Sequence, residues 1–216
     1  MAKGKAKKRV KIDPEWELVI KRNYAAACFS PNNWLYLADD LIECATILES
    51  RVEETFMRAR ARARGVSATL ISQGPSAAHF MLIAYAVENL LKAAQVRARG
   101  FRYEEEFKVD GQMPKELKTH DLVNLAKMVG LKVDLQSEDL LRRLEQCAVW
   151  RGRYPVPTAY PEFSGSAVFS DGNQYKVSWF GGKDIERLKS LIEAIRTELN
   201  LHTLRSRLTP KKIERS

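Results

Sequence analysis

Apolar residues along this chain recur mostly at alternating spacings of three and four, the signature of helices that bury one face. Asp13 is placed to cap a first helix, with Pro14 at its opening position and Glu15 and Glu17 in its first turn. Trp16, Val19, Ile20 and Tyr24 form its apolar stripe, and the helix is expected to end near Phe29. A longer helix follows Ser30-Pro31, with Trp34, Leu37, Leu41, Ala45, Leu48, Val52 and Phe56 turned inward as it runs toward Gly65. After the break at Gly74-Pro75, Ser76 caps a third helix whose stripe is Phe80, Ile83, Val87, Leu90, Leu91 and Ala94, ending at Gly100.

Residues 101–118 are charged and broken by Gly111 and Pro114, and read as a connecting loop. Thr119 then caps a short helix through Leu122, Leu125, Ala126 and Val129 to Gly130. Ser137 caps another through Leu140, Leu141, Leu144, Cys147 and Ala148, which delivers Trp150 to Tyr154. Between residues 164 and 182 the pattern changes to alternation about Asp171-Gly172, predicting a small β-hairpin. A last helix, from Lys183 to about Leu201, carries Ile185, Leu188, Leu191, Ile192, Ile195 and Leu199. Together these predict an all-α antiparallel bundle of about five to six helices, with a hairpin inserted before the last.

Charge changes the picture at the ends of the chain. The 216 residues carry a formal net charge of +9, with +6 in residues 1–11 and +4 in residues 205–216, so the rest sums to −1. Residues 1–12 and 205–216 therefore read as basic tails flanking one domain, residues 13–204. Any contact of the tails with nucleic acid would be sequence-independent and weakened by salt. A ladder of Arg58, Arg60, Arg62 and Arg64 closes the second helix, where cations also suit the helix dipole.

Cys28, Cys44 and Cys147 are widely spaced, which argues against both a disulfide framework and a zinc site, and the expected setting is the cytoplasm. The longest apolar run, Phe80 to Val87, is too short to span a bilayer. His79, His120 and His202 are the chain's three histidines, and no two share metal-ligand spacing on one helix. No metal and no cofactor are expected. Gly181-Gly182-Lys183 lacks the first glycine and the hydroxyl residue of a phosphate loop, and no GxSxG or HExxH motif occurs.

The stretch Trp150-Arg-Gly-Arg-Tyr-Pro-Val-Pro157 concentrates candidate chemistry. Arg151 and Arg153 each present a planar fork of donors matched to phosphate oxygens, beside Tyr154. His120 and Asp121 lie in Thr119-His120-Asp121 at a helix opening, where backbone N–H groups favour an anion, although capping explains the same residues. Glu88 and Lys92, four apart, read as an ion pair on the polar face of their helix.

Three segments together resemble the HEPN superfamily: Ala86 to Ala93 with Glu88 and Lys92, the opening Thr119-His120-Asp121-Leu122, and Arg151-Gly-Arg153-Tyr154-Pro155. The resemblance implies an α-helical bundle that forms homodimers. In that family many members are metal-independent ribonucleases of toxin, defence or RNA-processing systems, often encoded beside a nucleotidyltransferase-like partner. The family's catalytic pattern is an arginine followed four to six residues later by a histidine. That pattern is missing here, since the first histidine after Arg151 and Arg153 is His202.

The expectation is therefore an RNA- or nucleotide-associated binding module without nuclease activity, in a toxin–antitoxin or defence setting. Its binding residues are Arg151, Arg153, Tyr154, Glu88, Lys92, His120 and Asp121. Its partners would be RNA or a nucleotide, a nucleotidyltransferase-like or antitoxin protein, and a second copy of the chain, with no membrane. Two alternatives stay open: a divergent endoribonuclease drawing on Arg151, His120 and Tyr154, and a protein-interaction subunit of a two-component system.

Overall fold

A computed structural model describes residues 13–65, 74–151, 166–176 and 180–201. Helix α1 spans Pro14–Cys28, with the Asp13 side chain accepting a hydrogen bond from the Glu15 N–H at 2.8 Å. Its stripe does not enter the core: Trp16, Val19, Ile20 and Tyr24 all stay substantially exposed. The helix docks instead through Ala25 and Cys28 and by stacking Tyr24 on Phe107. The corner into α2, Pro31–Ala63, is tied by the Trp34 indole N–H to the Cys28 carbonyl at 2.7 Å and by the Asn33 amide to Ala27.

α2 runs antiparallel to α3, Gly74–Asp110, so that Trp34 lies over Lys92 while Phe56 meets Phe80 near the other end. The buried side of α2 is Leu35, Ala38, Ala45, Val52 and Thr55, whereas Leu37, expected inside, is half exposed. Ala38 and Ala45 are fully buried, so short side chains let the two backbones approach and rotate the larger residues away from the seam.

α3 continues through Gly100, where a stop was expected. A glycine inside a helix costs about 1 kcal/mol relative to alanine. Burial of Tyr103 and Phe107 with Cys28, Phe29, Val96 and Leu117 in a second core offsets it. The helix ends at Gly111, whose φ of 68° suits a residue without a side chain. Much of the expected loop over 101–118 is thus helix, followed by the single turn α4, Lys115–Lys118.

α5 is Leu122–Met128 and α6 is Leu135–Gln146. Their caps are Asp121, bonded by the Asn124 N–H at 2.8 Å, and Asp134, bonded by the Ser137 N–H at 2.7 Å, rather than Thr119 and Ser137. Beyond α6 the chain widens into a π turn, Cys147–Arg151. Strands β1, Ser166–Val168, and β2, Gln174–Lys176, pair antiparallel with Ala167 opposite Tyr175. The hairpin is fixed to α6 by Glu138, which accepts from the Ser170 N–H at 3.0 Å and from Arg142.

Helix α7, Asp184–Glu198, buries Ile185, Leu188, Leu191, Ile192 and Ile195 as its pattern predicts. Arg143 joins it to α6 through Asp184 at 2.8 Å and lies over the Phe180 ring, which in turn stacks on Phe80 at 4.1 Å. The molecule is accordingly an all-α bundle with a small hairpin before the last helix, organised around α3. Among the described residues no helix is long and apolar enough to cross a membrane.

Candidate functional site

Between Gly65 and Arg97 the sequence contains two charged residues, Glu88 and Lys92. The polar face expected for them does not exist, because α3 is covered on every side along this stretch and residues 86–96 are all buried. Glu88 is 6% exposed and Lys92 4%. Their ion pair is 2.5 Å long, and the Lys92 ammonium lies 5.7 Å from the centre of the Trp34 ring. Taking two charges out of water costs several kcal/mol per ion before they attract each other, so this pair is weak evidence for stability and better evidence for a role.

The second Glu88 oxygen meets His120 Nδ1 at 2.8 Å. Unlike its partners, His120 leaves about half of its side chain, 53%, exposed. With Nδ1 donating its N–H to the carboxylate, Nε2 is the ring nitrogen left for a ligand, an acceptor in the neutral ring and a donor in the protonated one. No described residue bonds that nitrogen. One buried carboxylate therefore neutralises a buried lysine and orients an imidazole that reaches solvent.

The segment holding His120 is itself pinned. Thr119 Oγ1 accepts from the Asp121 N–H at 3.1 Å, Asp121 caps α5, and Glu145 Oε1 accepts from the Val123 N–H at 3.0 Å. Burial, together with the neighbouring Asp121 carboxylate and against the Val123 N–H, pushes the Glu145 carboxyl up to about 7. Glu145 stands at the end of α6, next to the π turn, whose Ala148 carbonyl accepts from the Tyr85 hydroxyl at 3.0 Å. Such local widenings are frequent at functional sites.

Of the residues singled out in the sequence, Glu88, Lys92 and His120 come together, and Asp121 follows as the cap of α5. Arg153, Tyr154 and the side chain of Arg151 lie outside the described residues. Glu145, Trp34 and Tyr85 were not anticipated as site residues. The isolation of Glu88 and Lys92 in an otherwise uncharged stretch is the sequence signal for burial; no local pattern marks Glu145. His79 is a core residue, 1% exposed, with Nδ1 on the Ala45 carbonyl at 2.9 Å and burial lowering its pKa.

A cleft of about 740 Å³ lies elsewhere, between α1 and the end of α3. Of the cations on its lining, Lys21 and Lys108 are paired with Glu17 and Glu105, and Arg22 is exposed. Among the described residues no cluster of histidine, cysteine, aspartate and glutamate could hold a metal, and all three cysteines are free. Compared with models of known families, with curated proteins and with solved structures, the chain has no significant match.

Proposed function

We propose that this chain is a HEPN-like RNA- or nucleotide-associated binding module of the kind used in toxin–antitoxin and defence systems, working as a homodimer. The supporting observation is the Glu88 carboxylate, shared between buried Lys92 and half-exposed His120. A buried polar network of this kind is costly to keep for packing alone. It presents one imidazole at a fixed angle to solvent. Arg151, at the end of the π turn, is assigned the phosphate-binding fork, together with Arg153 and Tyr154.

The test is titration of single-stranded RNA and of mononucleotides into the purified chain at several salt concentrations. The reading expects salt-sensitive binding that His120→Ala, or Arg151→Ala with Arg153→Ala, weakens at least tenfold. Binding indifferent to both variants would overturn it.

A second reading is favoured by one observation. His120 is oriented by a carboxylate, which suits an imidazole to general-base work, and the Glu145 carboxyl, raised to about 7, accepts from the Val123 N–H three residues after His120. On that reading the protein is a metal-independent endoribonuclease, cleaving RNA in the presence of EDTA and losing the activity on His120→Ala or Arg151→Ala. Intact RNA at high protein concentration would exclude it.

A further inference from the structure

Most arginines on the helices of this protein are matched to a carboxylate: Arg51 and Arg58 to Glu54, Arg102 to Glu106 and Glu116, Arg142 to Glu138, Arg196 to Asp39. The end of α2 departs from this. Arg60, Arg62 and Arg64 are exposed, and none makes an ion pair among the described residues. The fold brings a fourth cation to the end of α2. The Arg60 guanidinium lies against the Gly182 backbone, so closely that a methyl group on Gly182 would sit 3.4 Å from Nη2. The next residue, Lys183, is exposed and likewise without an ion pair among the described residues.

The neighbouring acids are already committed. Asp184 is held by Arg143 and Arg187, and Glu186 pairs with Lys189. The Gly181-Gly182-Lys183 turn, which is no phosphate loop, thus adds its cation to an exposed helix end where Arg60 and Arg64 share one side and Arg62 projects from the other, four unit positive charges in all, on a chain whose residues 12–204 sum to −1. The helix dipole accounts for little of this, being equivalent to roughly half a negative charge at the α2 C-terminus.

We infer that Arg60, Arg62, Arg64 and Lys183 together form a docking surface, wrapped around the end of α2, for the phosphate backbone of single-stranded RNA, separate from the His120 site. This rests on the RNA reading above and narrows it from a mononucleotide to a polynucleotide. Three of the four cations are guanidiniums, the group that forks onto phosphate oxygens. The residues between them are alanines, so the long side chains can follow an irregular backbone, and the surface lacks the apolar row that a bilayer-lying helix requires. Trp34 and Arg60 are 26 residues apart on one helix, about 39 Å along its axis, so a mononucleotide at His120 does not reach this surface.

The experiment compares the wild-type chain with the quadruple variant Arg60→Gln, Arg62→Gln, Arg64→Gln, Lys183→Gln. The probes are a 30-nucleotide single-stranded RNA, a mononucleotide, and phosphatidylserine vesicles, each over a salt series. Because all four side chains are exposed, the unfolding midpoint should not move, and a charge-preserving variant with three Arg→Lys changes guards against misfolding. We expect at least a tenfold weaker hold on the RNA at moderate salt and a salt slope smaller by roughly 3, since each phosphate contact in a single strand contributes about 0.7. Mononucleotide binding should be unchanged, and the Arg→Lys variant should keep the slope. RNA binding with an unchanged slope overturns this surface and leaves the RNA reading standing. Absence of RNA binding by the wild type overturns both. A loss confined to the vesicles replaces RNA with an anionic membrane as the partner.

Discussion

His120 Nδ1 and Glu88 Oε2 meet at 2.8 Å across thirty-two positions of sequence, while the other oxygen of the same carboxylate holds Lys92 at 2.5 Å. Glu88 is thus the common member of an ion pair that packing encloses and a histidine that solvent reaches. Glu88→Ala should strand Lys92 inside the protein without a counter-charge and cost about 3–5 kcal/mol. Glu88→Leu combined with Lys92→Met should cost far less, since both charges are then removed together. Urea denaturation of the two variants checks the difference.

His120 should separate stability from binding. Its side chain is half exposed, so His120→Ala should lower the unfolding free energy by no more than about 1 kcal/mol. Ligand affinity should fall tenfold or more in the same variant. A denaturation curve and an RNA titration on one preparation suffice.

Glu145 gives the pH dependence. Its carboxyl is raised to about 7, so the folded state holds a proton that the unfolded chain releases near the ordinary carboxylate value of 4.5. Stability from this group is therefore greatest at low pH and declines as pH rises from about 4.5 through 7. Because Glu145 keeps some contact with solvent, the loss should be about 1–2 kcal/mol, below the full 1.4 kcal/mol per unit. Glu145→Gln keeps an acceptor for the Val123 N–H and should flatten this decline, leaving the variant more stable than wild type at pH 8. Unfolding midpoints between pH 5 and pH 8 report it.

Arg143 is the hinge pin of the C-terminal part. It is 3% exposed, bonded to Asp184 and Asp139, and stacked over Phe180. Arg143→Met should leave buried Asp184 with the more exposed Arg187 as its remaining counter-charge and should remove a charge-assisted hydrogen bond, costing about 1.5–3 kcal/mol. Amide exchange should accelerate first in α7 and in the turn at Phe180. Exchange spread evenly over the bundle would show that α7 does not depend on this contact.

The parts of the fold visible in the sequence are those set by local chemistry. Asp13 before Pro14 caps α1, Asp171-Gly172 turns the hairpin, and the stripe of α7 is the one the core receives. What misleads is set by distant partners. Gly100 reads as a stop because the burial of Tyr103 and Phe107 that carries α3 past it comes from α1 and α4. The stripe of Trp16, Ile20 and Tyr24 looks inward yet stays exposed, since α1 docks by its smaller residues. Thr119 and Ser137 are plausible caps until Asp121 and Asp134, nearby in the chain, are seen to take the N–H groups instead.

In the candidate site, the spacing of Glu88 and Lys92 announced their pairing but not their burial, which follows from the central place of α3. His120 was legible as a residue at a helix opening, and its partner was not, because nothing local links residue 120 to residue 88. Glu145 gained its raised pKa only when α6 folded against the start of α5.

The central claim is that the imidazole held by Glu88 faces the ligand. With three histidines in the chain, the side-chain NMR signals of His120 can be assigned by a single His120→Gln variant. Titration with single-stranded RNA should shift the His120 Nε2 resonance saturably, leave buried His79 in place, and lose the shift in Glu88→Gln. RNA binding that leaves His120 unmoved would contradict the account.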